Sequence, residues 1–121
     1  MSPKTPRPGA IPGFTICRES HCGKIFVTVT IQDGEPKEVF IRFGKAGGCG
    51  SAMAGGLAQL VSYALRSGMD AADAIKALSG IQCHLGAKTC LNEVAVAIKI
   101  VVKAVQTGRD INELLVEHDG L

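Results

Sequence analysis

Apolar and polar residues alternate along the first third of the chain, as is typical of β-strands. In Ile25–Ile31 four β-branched residues at odd positions alternate with one phenylalanine and two threonines. Glu38–Phe43 resumes the alternation, and the intervening Asp33–Pro36 has the composition of a turn. The pattern therefore predicts a β-hairpin, with Thr15–Cys17 as a further short strand.

The apolar spacing then changes to that of helices. Apolar residues recur at helical intervals within residues 53–64, 74–78, 91–105 and 111–115. The last of these predicts only one or two amphipathic turns. Three potential N-caps and three terminating glycines flank these segments: Ser51, Asp70, Asp110, Gly68, Gly80 and Gly108.

This order predicts an α+β fold with a small antiparallel sheet in the N-terminal half and three to four helices on one face. We expect residues 1–12, which contain four of the five prolines, to form a flexible arm, and residues 13–121 a single domain. The exposed edges and uncovered face of such a sheet favour self-association. Val96 and Ile100 lie outside the main apolar stripe of the third helix. They predict either an oligomer interface or a central helix of a monomer.

Composition limits the possible functions. The chain has 121 residues, a formal net charge of +2, no Trp and one Tyr. So small a positive charge argues against binding duplex nucleic acid, and so few aromatic residues argue against an aromatic platform for single strands. No apolar run reaches the roughly 18 residues of a membrane span. The N-terminus has no apolar core of a secretory signal, so we expect a cytoplasmic protein.

A glycine-rich segment, Gly44–Ser51, follows the predicted hairpin. A strand, a glycine-rich turn and a helix N-terminus can together bind phosphate through backbone N–H groups. The segment lacks the ending of a Walker A motif, and glycines equally permit a tight turn. Basic residues in or beside loops could add to a phosphate pocket or could simply be solvated: Arg18, Lys24, Lys45, Lys88 and Arg109.

The five cysteines leave two interpretations open. An odd number in a cytoplasmic protein argues against a disulfide framework. Buried free thiols are one interpretation. The other is a structural zinc site, although the ligand spacing fits poorly. We find no nucleophile with an oriented base and no carboxylate pair, so we expect no catalytic residue. Because the zinc-ligand spacing is poor, we expect no metal, and we expect no cofactor.

Five segments occur in a recognisable order, at residues 22–29, 38–49, 60–68, 80–83 and 89–90. Together they resemble the TSCPD domain, known from the C-terminal part of adenosylcobalamin-dependent ribonucleotide reductases. The resemblance covers about residues 13–106. The family's Ser-Cys-Pro-Asp signature corresponds to Thr89-Cys90-Leu91-Asn92, a departure that points to a changed site.

In length and layout the chain is similar to phage anti-Thoeris sponges, which are TSCPD-like oligomers. The similarity implies a protein that captures a cyclic ADP-ribose-type signal, such as glyco-cyclic ADP-ribose, without cleaving it. It also implies a homo-oligomer, dimer-based and up to a hexamer, and a second site for cyclic di- or trinucleotides. The residues implied for the main pocket are Asn92 and Arg109, with Lys24 and Thr89 at the second site. His84 is the nearest substitute for the ring on which these sponges stack their ligand.

The alternative is a stand-alone TSCPD domain that serves deoxynucleotide metabolism by binding nucleotide or zinc. In that case the metal ligands would be Cys22, Cys49, Cys83 and Cys90. A third possibility is a structural subunit of a larger complex, with the apolar helix faces as its interface.

Overall fold

The computed structural model describes residues 6–21, 23–44, 48–82, 86 and 88–120, with the backbone alone for residues 48–51. Strands come first and helices follow, so the predicted α+β fold class is confirmed. The elements are β1 (Gly13–Ser20), β2 (Gly23–Gln32), β3 (Glu35–Phe43), α1 (Gly48–Arg66), α2 (Ala71–Leu78), α3 (Cys90–Thr107) and α4 (Ile111–Asp119).

The three strands form an antiparallel sheet in the order β1-β2-β3. The predicted hairpin turn is confirmed: Asp33 and Gly34 have φ values of 56° and 77°, as a tight two-residue connection requires. β1 is longer than the short strand expected from Thr15–Cys17, because it pairs with β2 along its whole length. Arg18 and Lys24, which we expected in or beside loops, lie within β1 and β2.

The core lies between one face of the sheet and α3. Ile25, Val27 and Val29 of β2 are fully buried on this face, as their alternation predicts. α3 contacts all three strands as well as α2 and α4. Ile100 is therefore buried and Val96 partly buried within a single chain. The central-helix interpretation accounts for these two residues, and they give no indication of an oligomer.

α1 packs along the free edge of β3. The buried hydroxyl of Ser62 accepts a hydrogen bond from the Val39 N–H at 2.8 Å. It lies 3.0 Å from the Val39 carbonyl and 2.8 Å from the Ala58 carbonyl, to either of which it can donate. The expectation that both sheet edges are exposed is therefore wrong at this edge, where a helix side chain takes the place of a fourth strand.

The predicted helix boundaries are mostly confirmed. Asp70 and Asp110 are N-caps, and Gly108 ends α3 in the left-handed region. Ser51 is not a cap, because α1 already begins at Gly48 and Ser51 lies inside its first turn. α4 has nine residues, more than the one or two turns expected. None of the described helices combines the length and apolar character that crossing a bilayer requires.

Candidate functional site

A groove of about 620 Å³ runs between β3 and α1, within the usual size range of small-molecule sites. Val39, Ala58 and Ser62 contribute to its lining and are buried. Phe40 from β3 and Tyr63 from α1 also line it, and their side chains are 46% and 48% exposed. The groove thus offers two aromatic rings to a planar ligand over a largely apolar floor.

One end of the groove is polar. The buried Glu38 carboxylate lies 3.8 Å from Nη1 of Arg66 and 3.3 Å from Nε of Arg7. Oγ1 of Thr30 lies 3.4 Å from the same carboxylate oxygen. Two guanidinium groups therefore meet one carboxylate, so this end has a net positive charge and favours an anionic ligand.

This groove was not predicted from the sequence. The small number of aromatic residues argued against an aromatic surface, but the fold brings Phe40 and Tyr63 together from different elements. Phe40 shares a sheet face with Phe26, over whose ring the Arg42 guanidinium lies at 5.0 Å. The sequence did contain a signal for these rings. Phe26 and Phe40 occupy the positions that alternate with the core residues of their strands, so they face away from the core.

Arg18 is not solvent-exposed as a phosphate-binding residue would be. Its side chain is 7% exposed, and its Nη2 lies 2.9 Å from Oε1 of buried Glu93. It also makes two hydrogen bonds to the Asp119 carboxylate, at 3.0 and 3.2 Å. Burial alone would lower the pKa of Arg18, but the hydrogen bonds to Asp119 and Glu93 outweigh it and raise that pKa. The hydrogen bonds from Arg18 lower the pKa of Asp119.

Thr89 and Asn92 belong to the same polar region at the start of α3. Thr89 is the N-cap of α3, accepts from the Asn92 N–H and donates to the carbonyl of Ile81. Oδ1 of Asn92 accepts from the Gly80 N–H at 2.8 Å, and Nδ2 donates to Glu93 at 3.2 Å. Thr89 and Asn92 thus connect the start of α3 to the loop after α2, and Arg18 connects β1 to α3 and α4. Contacts within the single chain therefore explain all three residues.

The remaining basic candidates lie on the surface. Lys24 is exposed and 3.8 Å from Glu19, and exposed Lys88 accepts the His21 N–H through its backbone carbonyl. Arg109 pairs with Glu117 of α4, which raises the pKa of Arg109 and lowers that of Glu117. Asn92 lies in the first turn of α3 and Arg109 lies just beyond its last turn, about 25 Å apart for a rise of about 1.5 Å per residue. They can therefore meet around one ligand only across two chains.

Two other predicted ligand residues, Lys45 and His84, lie outside the described residues, as do Cys22 and Cys83 and the side chain of Cys49. Cys17 is exposed and Cys90 is half-buried. Within the described part of the chain, no three His, Cys, Asp or Glu side chains are grouped to hold a metal ion.

Comparison with known proteins gives one match. No curated protein and no solved structure was found to match the chain. The family model of the TSCPD domain matches residues 4–102 of the 121 residues. The match includes the whole sheet, α1, α2 and most of α3. The chain belongs to the TSCPD domain family.

Proposed function

We propose that this protein binds and sequesters a cyclic ADP-ribose-type nucleotide, such as glyco-cyclic ADP-ribose, without cleaving it. The observation that carries the proposal is the groove between β3 and α1, which combines two half-exposed aromatic rings with a cationic end. Purine rings stack on aromatic side chains, and a diphosphate pairs with guanidinium groups. Membership of the TSCPD family is consistent with this proposal.

In this arrangement Tyr63 and Phe40 hold the base, and Arg7 and Arg66 at the polar end face the diphosphate. The groove contains no carboxylate pair and no nucleophile with an adjacent base among its described lining residues. Sequestration needs only tight binding, so the ligand leaves chemically unchanged. The biological role that follows is that of a phage protein that removes a signal of the host's antiviral defence. It acts in the host cytoplasm as a homo-oligomer.

Isothermal titration with glyco-cyclic ADP-ribose tests the proposal, with a cyclic trinucleotide titrated in parallel. Tyr63→Ala or Phe40→Ala should weaken binding roughly tenfold to a hundredfold, because one stacked base contributes about 1–3 kcal/mol. Phe14→Ala is the matched control, since Phe14 is also a strand phenylalanine, is 37% exposed and does not line the groove. Mass spectrometry of ligand released by denaturation should show an intact molecule.

Other results would change the assignment in defined ways. Turnover of the bound ligand would overturn sequestration. Loss of affinity in Asn92→Ala and Arg109→Ala, with Tyr63→Ala unaffected, would move the site to a pocket shared by two chains. Binding of the trinucleotide alone, with loss in Lys24→Ala, would reject the cyclic ADP-ribose ligand. Binding of neither ligand would favour the deoxynucleotide-metabolism alternative, and metal analysis of its cysteines would come next.

A further inference from the structure

The chain before β1 lies against the polar end of the groove. Pro6 and Arg7 line the groove, and the Arg7 guanidinium reaches Glu38. The carbonyl of Pro12 accepts a hydrogen bond from the Ile31 N–H at 2.8 Å, which fixes the other end of this segment. We call residues 6–12 the strap.

The contacts that hold the strap at the groove are weak. Arg7 is 59% exposed, so its ion pair with Glu38 is largely solvated. Nε2 of Gln32 lies 3.5 Å from the Pro6 carbonyl, at the limit of a hydrogen bond. Oε1 of Gln32 is buried and has no hydrogen-bond partner among the described residues. This end of the strap can therefore leave the groove at little cost.

Glu38 does not depend on Arg7 for charge compensation. When Arg7 turns away, the carboxylate keeps buried Arg66 and the hydroxyl of Thr30 beside it. Arg7 is thus the one of the two guanidinium groups that can change partner without leaving a buried carboxylate uncompensated. The prolines of the strap restrict its backbone, so less conformational entropy is lost when the strap is held over the groove.

We propose that the strap covers the groove in the free protein and that Arg7 transfers from Glu38 to a phosphate group when the nucleotide binds. Arg7 is then a ligand-binding residue contributed by the segment before the sheet. The strap shields the stacked base from solvent and slows its release. The identity of the ligand rests on the proposed function, whereas the covering of the groove does not.

Intrinsic fluorescence tests, without any ligand, whether the strap covers the groove; we call this the cover. The chain has one Tyr and no Trp, so its emission reports on Tyr63 in the groove. Quenching by acrylamide, a neutral quencher, should increase about twofold when residues 2–11 are deleted, and to a smaller extent in Arg7→Gln. Arg42→Gln is the matched control, because this exposed strand arginine lies over Phe26 and not in the groove. It should leave quenching unchanged.

Titration with glyco-cyclic ADP-ribose tests the transfer of Arg7. Arg7→Gln should weaken binding about tenfold and speed dissociation, with Arg42→Gln close to wild type. Unchanged quenching in the deletion variant would overturn the cover, whatever the ligand. Equal affinities of Arg7→Gln and wild type would overturn the role of Arg7. Increased quenching in the deletion variant, with no ligand bound by wild type, would reject the proposed function and the Arg7 transfer while leaving the cover in place.

Discussion

Replacing Glu93 by leucine should destabilise the fold by about 3–5 kcal/mol, because it leaves the charge of Arg18 buried and partly uncompensated. The two side chains are 7% and 4% exposed, and their closest N–O distance is 2.9 Å. The remaining partner, Asp119, is 39% exposed, so water weakens what it can contribute. Glu93 also accepts from Nδ2 of Asn92, and this bond is lost as well.

Urea unfolding followed by circular dichroism measures the loss, and a second variant separates charge from packing. Arg18→Met combined with Glu93→Leu removes both buried charges, and such a replacement is often close to neutral. The double variant should therefore lose less stability than Glu93→Leu alone. Glu19→Gln is the control, because the Glu19–Lys24 pair is exposed and its loss should cost at most about 1 kcal/mol.

Two results would refute this reasoning. One is a loss in Glu93→Leu no larger than that in Glu19→Gln. The other is a double variant whose loss equals the sum of the losses in Glu93→Leu alone and Arg18→Met alone, which would show that Arg18 and Glu93 are not energetically coupled. Either result would show that the buried pair of Arg18 and Glu93 does not stabilise the fold as its geometry implies.

Three further predictions concern stability; urea unfolding measures the first two, and acid unfolding measures the third. Ser62→Ala should lower the free energy of unfolding by about 1–3 kcal/mol, because it leaves buried backbone groups of β3 without their partner. Ser79→Ala is the control and should cost less, because the Ser79 hydroxyl is exposed and donates only to the nearby Ile75 carbonyl. Gly13→Ala should be clearly destabilising, since its Cβ would lie 2.5 Å from a carbonyl oxygen of β2, whereas Gly9→Ala has open space and should be neutral. The hydrogen bonds from Arg18 lower the pKa of Asp119 in the folded state. The contribution of Asp119 to the free energy of unfolding is therefore complete above an ordinary aspartate pKa of about 3.9 and is lost as the pH falls below it. Asp119→Asn should flatten that part of the acid unfolding curve.

Much of the fold followed from local patterns. The helical spacings and the caps at Asp70, Asp110 and Gly108 predicted α2, α3 and the start of α4. The start of α1 was missed because its first residues include glycines, whose low helix propensity suggested a turn.

The candidate site was harder to predict because burial and pairing depend on distant elements. Arg18 lies two residues after Ile16 in β1, so a period of two already places both on the inner face of the sheet. That signal indicated a buried arginine in need of partners. Its partners, Glu93 and Asp119, are 75 and 101 residues away in sequence, and no local pattern identifies them.

The position of Phe40 in the groove shows why the site could not be derived from the turn alone. A two-residue turn at Asp33 and Gly34 would pair Phe40 with Val27, whose side chain is in the core. The register shifts by one residue between Thr30 and Ile31, so Phe40 pairs with Thr28 instead. Because side chains alternate between faces, this single shift turns Phe40 outward and Val39 into the core. The aromatic wall of the groove on the β3 side therefore depends on a β-bulge. The alternation within Glu38–Phe43 agrees with this register, whereas a two-residue turn without the bulge does not.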